Sequence, residues 1–192
     1  MEDIKFRLKR IVIWLSRCLR TRGFGVQSPW AYQFIRYVIN EHYPYYAYEK
    51  FPFLKGGKSL YRRMMGGLYF RLANYRQPSV VWESSTSDSF ADYFRLGCKR
   101  VKVLTDHNAR NETPQLVRMA ANENHSFYEE VCQRADEKTI LVIEGISDTH
   151  NQKCFWNKVQ HDNRTGVTFD LYYCGIVFFD KSLYKHHYIV NF

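Results

Sequence analysis

At 192 residues, with 45% apolar and 17% aromatic content, the chain has enough apolar surface for one ordinary domain with a real core, which excludes intrinsic disorder. The five cysteines are odd in number, scattered and never in a C-x-x-C pair, so free thiols are expected rather than a disulfide framework or a zinc site. The formal charge of +9 is concentrated, because residues 1–76 hold 15 Lys/Arg against 4 Asp/Glu whereas residues 77–192 hold 13 against 15.

The first segment, DIKFRLKRIVIWLSRCLR, spaces Ile4, Leu8, Ile11, Leu15 and Leu19 by three and four, with basic residues largely elsewhere. That spacing predicts an amphipathic helix whose apolar stripe docks on the body of the protein or on a second copy, in preference to a membrane. Its longest apolar run, Ile11–Leu15, is far below the roughly 20 residues that span a bilayer and the about 7–15 of a signal-peptide core, so a cytoplasmic chain with no transmembrane segment is expected. Gly23 and Gly25 end this helix, and Ser28-Pro29 opens a second, roughly over 30–40, with serine as N-cap and proline at its first position. HYPYYAYEKFPF then reads as irregular chain that packs tyrosines, or as a base-stacking platform. A third helix is expected over 60–74.

From Val80 onward the pattern alternates. It predicts strand 80–83, helix 88–96, strand 101–105, helices 113–122 and 127–135, strand 139–144, helix 151–160, a strand pair at 166–173 and 175–180, and a last strand at 187–192. Alternation of this kind means an α/β domain with a largely parallel sheet, here 77–192, integrated with a basic helical extension, 1–76. In such sheets ligands bind beyond the carboxyl ends of the strands, with glycines at the first turn and an acid closing the next strand. Glu83 closes the first strand and Asp106 the second, but the turn between strand and helix is SSTSDS, without glycine. A helix start capped by Ser87 or Asp88 accounts for that turn as well. His107, His125, His150 and the pair His186-His187 lack metal-ligand spacing, and there is no G-x-S-x-G nucleophile elbow.

The stretches GFGVQSPWAYQF, PYYAYEK, LYFRLANYRQPSVVWESSTSDSF and TFDLYYCGIVFFDKSLYKHHYIVNF together resemble a bacterial family of class I S-adenosylmethionine-dependent methyltransferases, similar to the O-methyltransferases. Its members open with a G-x-H-S-P-F stretch and close on an aromatic strand pair ending in G-x-V-F-F. The resemblance implies a Rossmann-like methyltransferase sheet and S-adenosylmethionine as cofactor. It places Glu83, Ser85 and Ser89 on the family's E-x-G-x-x-x-G, so both glycines are replaced. It puts Asp106 on the ribose-binding acid. The family's V-F-D-D-I-H and following tryptophan fall on VIEGISDTHNQKCFW, with Glu144 and Gly145 for the two aspartates, Ser147 for the histidine and Trp156 for the tryptophan. Only residues 123–138 separate the expected helix 113–122 from strand 139–144, where the family has a strand, a helix and a further strand. About three elements, a central strand among them, are therefore expected to be missing.

Three functions follow from this reading. The first is a methyltransferase-fold protein with degraded cofactor and catalytic motifs that works as a binding or interaction module. The second is an active methyltransferase on a small-molecule hydroxyl or amine acceptor, with the cofactor held by Glu83, Ser85, Ser89, Asp106 and Glu144. The third is a peripheral protein that binds lipid or nucleic acid through the basic N-terminal third, for which an acidic partner protein or plain solvation is the rival. No nucleic-acid motif accompanies that charge.

Overall fold

The structure, a computed structural model, describes residues 2–20, 22–41, 59–84, 89–105, 112–122 and 125–192, without the side chains of Glu2, Asp3 and Lys5. The loop residues Ser85–Asp88, the acid Asp106 and the aromatic stretch 42–53 singled out above lie outside the described residues. The chain forms two compact units: Met1–Gln77 with Ser89–Lys99 and Val190–Phe192, and Pro78–Asp88 with Arg100–Ile189.

The first unit is helical. Helix α1 covers Glu2–Ser16 and is followed by a 3-10 turn at Cys18–Arg20. It rests on its inner face, where Ile13 is buried, and the C-terminal residues hold it. Asn191 Nδ2 donates to the Trp14 carbonyl at 3.1 Å, and Arg17 Nη1 donates to that of Val190 at 3.3 Å. The stripe expected to dock on the body does not: Ile4, Leu8, Ile11, Leu15 and Leu19 are all more than half exposed. Helix α1 also carries Phe6 and Ile13 on its other side, and that side is the one that packs.

Helix α2, Pro29–Phe34, starts as expected, with the Ser28 hydroxyl accepting from the Ala31 N–H at 3.3 Å. It continues as a π-helical turn, Ile35–Ile39. The last carbonyls of that turn are answered by Arg71, whose Nε donates to Val38 O at 2.7 Å and Nη2 to Ile39 O at 3.1 Å. Arg71 belongs to α3, Leu60–Arg76, capped at its start by Ser59 and closed at Gln77 in a left-handed conformation, φ 49°. Helix α4, Ala91–Gly97, packs on α3. Two glycines make the approach possible. A Cβ on Gly66 would stand 2.3 Å from the Tyr93 ring, and one on Gly97 would stand 2.4 Å from the Phe70 carbonyl. Tyr69, Phe90 and Phe94 fill the space beside them, with ring centroids 4.9 and 5.1 Å from Tyr69.

The second unit holds a seven-stranded sheet: β1 Val80–Glu83, β2 Lys102–Leu104, β3 Leu116–Ala120, β4 Ile140–Glu144, β5 Thr168–Asp170, β6 Cys174–Phe178 and β7 His187–Ile189, in the order β2-β1-β3-β4-β6-β5-β7. Pairs β1/β2, β1/β3, β3/β4 and β5/β7 are parallel, whereas β4/β6 and β5/β6 are antiparallel. Helices α5, His125–Arg134, and α6, His150–His161, belong to the same unit. One apolar cluster takes alternate residues of the central strands, Trp82, Val117, Met119, Leu141 and Ile143, together with Phe127 and Val131 of α5 and Phe155, Trp156 and Val159 of α6. Gly175 of β6 makes room for the Trp156 indole, which lies 2.3 Å from where a Cβ would be.

The expectation of a helix over 113–122 is corrected, since residues 116–120 are strand β3. This strand lies inside the sheet, between β1 and β4, so the shortening inferred before strand 139–144 does not remove the strand beside β1 on that side. LVRMA has both helix formers and a two-residue alternation, and a short run buried on both sides at its first four positions gives no periodic contrast by which to choose.

Candidate ligand site at the carboxyl ends of the central strands

Strand β1 is buried at all four positions, so its last residue carries a carboxylate into a nearly dry place: Glu83 is 1% exposed. Such a charge requires a partner. It is found on the neighbouring strand, where Arg118 stands in register with Glu83. Arg118 Nη1 donates to Glu83 Oε1 at 3.0 Å, and its Nε donates to Oε1 of Glu144, the last residue of β4, at 2.6 Å. Val117, Met119, Leu141 and Ile143 face the apolar cluster, so Arg118 and Glu144 share the opposite face of the sheet, with Glu83 beside them. One guanidinium thus ties two carboxylates across three adjacent strands, with side chains 1–11% exposed.

The location is the one where open α/β sheets bind ligands. From β1 the chain runs outward to β2 and then crosses back to β3 on the other side of β1, so the order reverses between β1 and β3, where Glu83 and Arg118 meet. Of the residues assigned to the cofactor by resemblance, the structure brings Glu83 and Glu144 together through Arg118. Ser89 belongs to the other unit, where its hydroxyl accepts from the Ala91 N–H at 3.1 Å and its carbonyl from Arg62 Nη2 at 2.6 Å, a helix-start role. Gly145, at the second expected aspartate, sits at φ +73°, a conformation that suits glycine. Trp156 is buried packing.

Sequence reasoning missed Arg118. The available signal was an arginine in the middle of an apolar run, LVRMA, which in a strand buried on both faces demands an acidic partner.

S-adenosylmethionine carries an ammonium and a sulfonium beside a carboxylate, and carboxylates with room to turn would meet its cationic groups. Among the described residues, the two strand-end carboxylates, Glu83 and Glu144, are already bonded by the Arg118 guanidinium and are not turned towards such a ligand.

A second polar network ties α5 to the segment after α6. Arg164 bonds Glu129 and Asp162, each at 2.6 Å, and Tyr128 Oη donates to Asp162 Oδ2 at 2.9 Å. The guanidinium holds the Asp162 carboxyl well below the usual carboxylate range. Burial pushes the Tyr128 phenol far above its ordinary value and the Cys132 thiol up to about 11, so neither is a nucleophile near neutral pH. Among the described residues no cluster of three or more His, Cys, Asp or Glu is placed to hold a metal, and no helix is long and apolar enough to cross a membrane.

No known family's sequence profile and no curated protein sequence matches the chain. Among solved structures it is similar to the Podospora anserina methyltransferase PaMTH1 with SAH bound, at a TM-score of 0.50 and 11% identity, over 68% of this chain and 83% of that one. It also aligns with cofactor-bound Rv0187 from MTB at a TM-score of 0.44 and 12% identity, over 70% of this chain and 86% of that one. The first likeness is one of fold: the chain has the mixed α/β sheet of a methyltransferase.

Proposed function

We propose that the chain is a methyltransferase-fold protein whose cofactor and catalytic positions have been turned over to structure, and that it acts as a binding or interaction module. The observation that carries this reading is Arg118, which bonds both Glu83 and Glu144 at the carboxyl ends of the central strands. The resemblance supports it, since it sets Ser85 and Ser89 where the family has glycines, and glycine is the residue that lets a backbone approach a cofactor closely.

Calorimetric titration of the full chain with S-adenosylmethionine tests the reading. The expected result is no binding, or binding far weaker than the micromolar affinity of about 8 kcal/mol at which a working cofactor site begins. Tight binding that Asp106→Ala abolishes would overturn it in favour of an active methyltransferase with an aligned hydroxyl or amine acceptor, a reading for which the fold shared with an SAH-bound enzyme speaks.

A further inference from the structure

The outer face of α1 is apolar and exposed. With 3.6 residues per turn, Ile4, Leu8, Ile11, Val12 and Leu15 fall within an arc of about 100°. They are 63, 60, 56, 66 and 59% exposed, and beyond the helix Leu19 and Phe24 remain 77 and 76% exposed. Soluble surfaces seldom leave so many large apolar side chains in one row. The opposite face is already used, by Ile13 and by the bonds to Val190 and Asn191.

Charge selects the occupant. From Ile4 to Asn40 there are eight Lys/Arg and no Asp/Glu. Arg7 and Lys9, both exposed, border the stripe on either side by helical geometry, and exposed Arg20 and Arg22 follow it. A second copy would bring this cationic face against itself. A nucleic acid would meet the arginines but leave the stripe wet. An anionic bilayer surface answers both features, taking the apolar row into the headgroup and acyl boundary while the basic side chains reach the headgroups and Trp14, half exposed, sits at the edge.

We propose that α1 with the following turn docks the protein, in the plane of the interface, on a membrane surface rich in anionic lipid. The inference rests on the reading of the chain as a binding module and names its partner.

Flotation of the full chain with phosphatidylserine-containing and pure phosphatidylcholine vesicles tests it, alongside sedimentation analysis and the calorimetric titration on the same preparation. Expected are binding to the anionic vesicles only, about tenfold weaker once salt shortens the screening length from about 10 Å towards 3 Å, and its loss in Leu8→Asp/Leu15→Asp with the thermal transition unchanged. Absence of vesicle binding, or binding that the double variant retains, would overturn the proposal. So would a dimer that the double variant dissolves in a chain indifferent to lipid, which would assign the stripe to a second copy. Because α1 and Arg118 are probed separately, cofactor binding by a lipid-binding chain would sink the proposed function and leave the docking surface standing. Should Leu8→Asp/Leu15→Asp fail to fold, Arg7→Glu/Lys9→Glu must still abolish the salt-sensitive binding.

Discussion

Arg118 joins two buried strand-end acids inside the sheet. Removing one member of a buried, hydrogen-bonded ion group costs about 3–5 kcal/mol, whereas replacing all of them by well-packed apolar groups of similar volume is far cheaper. Arg118→Met should therefore destabilise by that amount in urea unfolding, and the triple change with Glu83→Met and Glu144→Met should recover most of it. A single variant as stable as the parent would mean that the bridge carries no weight. His187 is the second case. Its Nδ1 lies 2.8 Å from Thr168 Oγ1, and burial, with Lys185, His161 and His186 nearby, lowers its pKa below the ordinary 6.5. A base with a depressed folded-state pKa leaves the native protein with fewer protons than the unfolded chain. Stability is therefore full above the unfolded value and lost as pH falls through the folded one. Melting temperature should decline from about pH 6.5 downward, and His187→Gln should flatten that decline. Asp162, also depressed, acts only in the lower window below the ordinary carboxylate value, so the two are separable.

Among elements, the helix contacts turn on single missing Cβ atoms. Gly66→Ala drives a methyl into the Tyr93 ring at 2.3 Å, and Gly175→Ala into Trp156 at the same distance. Each should cost about 1–3 kcal/mol as an overpacked site. Gly67→Ala, one residue along α3, meets only the end of Arg71 at 3.2 Å and gains up to about 1 kcal/mol of helix propensity, so it should be close to neutral or stabilising. Chemical unfolding of the three variants checks this; equal losses at Gly66 and Gly67 would show that α4 does not lean on α3 as described. The strand ends and the caps behave differently from these contacts in one respect, since they are readable locally. Glu83 as the end of β1 and Ser28 as the cap of α2 follow from residues within four positions. Arg118 as the partner of Glu83 depends on a strand 35 residues away.

For the molecule as a whole, the excess of 11 positive charges in residues 1–76 works against compactness. Raising ionic strength from about 0.01 M to 0.15 M shortens the screening length from about 30 to 8 Å. The melting temperature should rise over that range, because the exposed pairs weakened by the same salt, Lys102–Glu112 and Arg164–Glu129, contribute little. A fall would mean that these pairs outweigh the repulsion. The sequence by itself determined the α/β class, the bounds of β1, the positions of α5, α6 and β4, and the basic character of the first third, because these rest on composition and on contrast between neighbouring residues. It also singled out Glu83 as a strand-end acid, and the family resemblance pointed to Glu144. Only the tertiary structure decided that LVRMA is a strand, that it lies between β1 and β4, that its arginine binds both acids, and that α1 packs through Ile13 and turns Ile4, Leu8, Ile11 and Leu15 outward. The reason is common to all four. Periodicity records which side of an element differs from the other, but the choice of partner for each side is made by contacts between residues far apart in the chain, and the energies of those contacts are not written in local order.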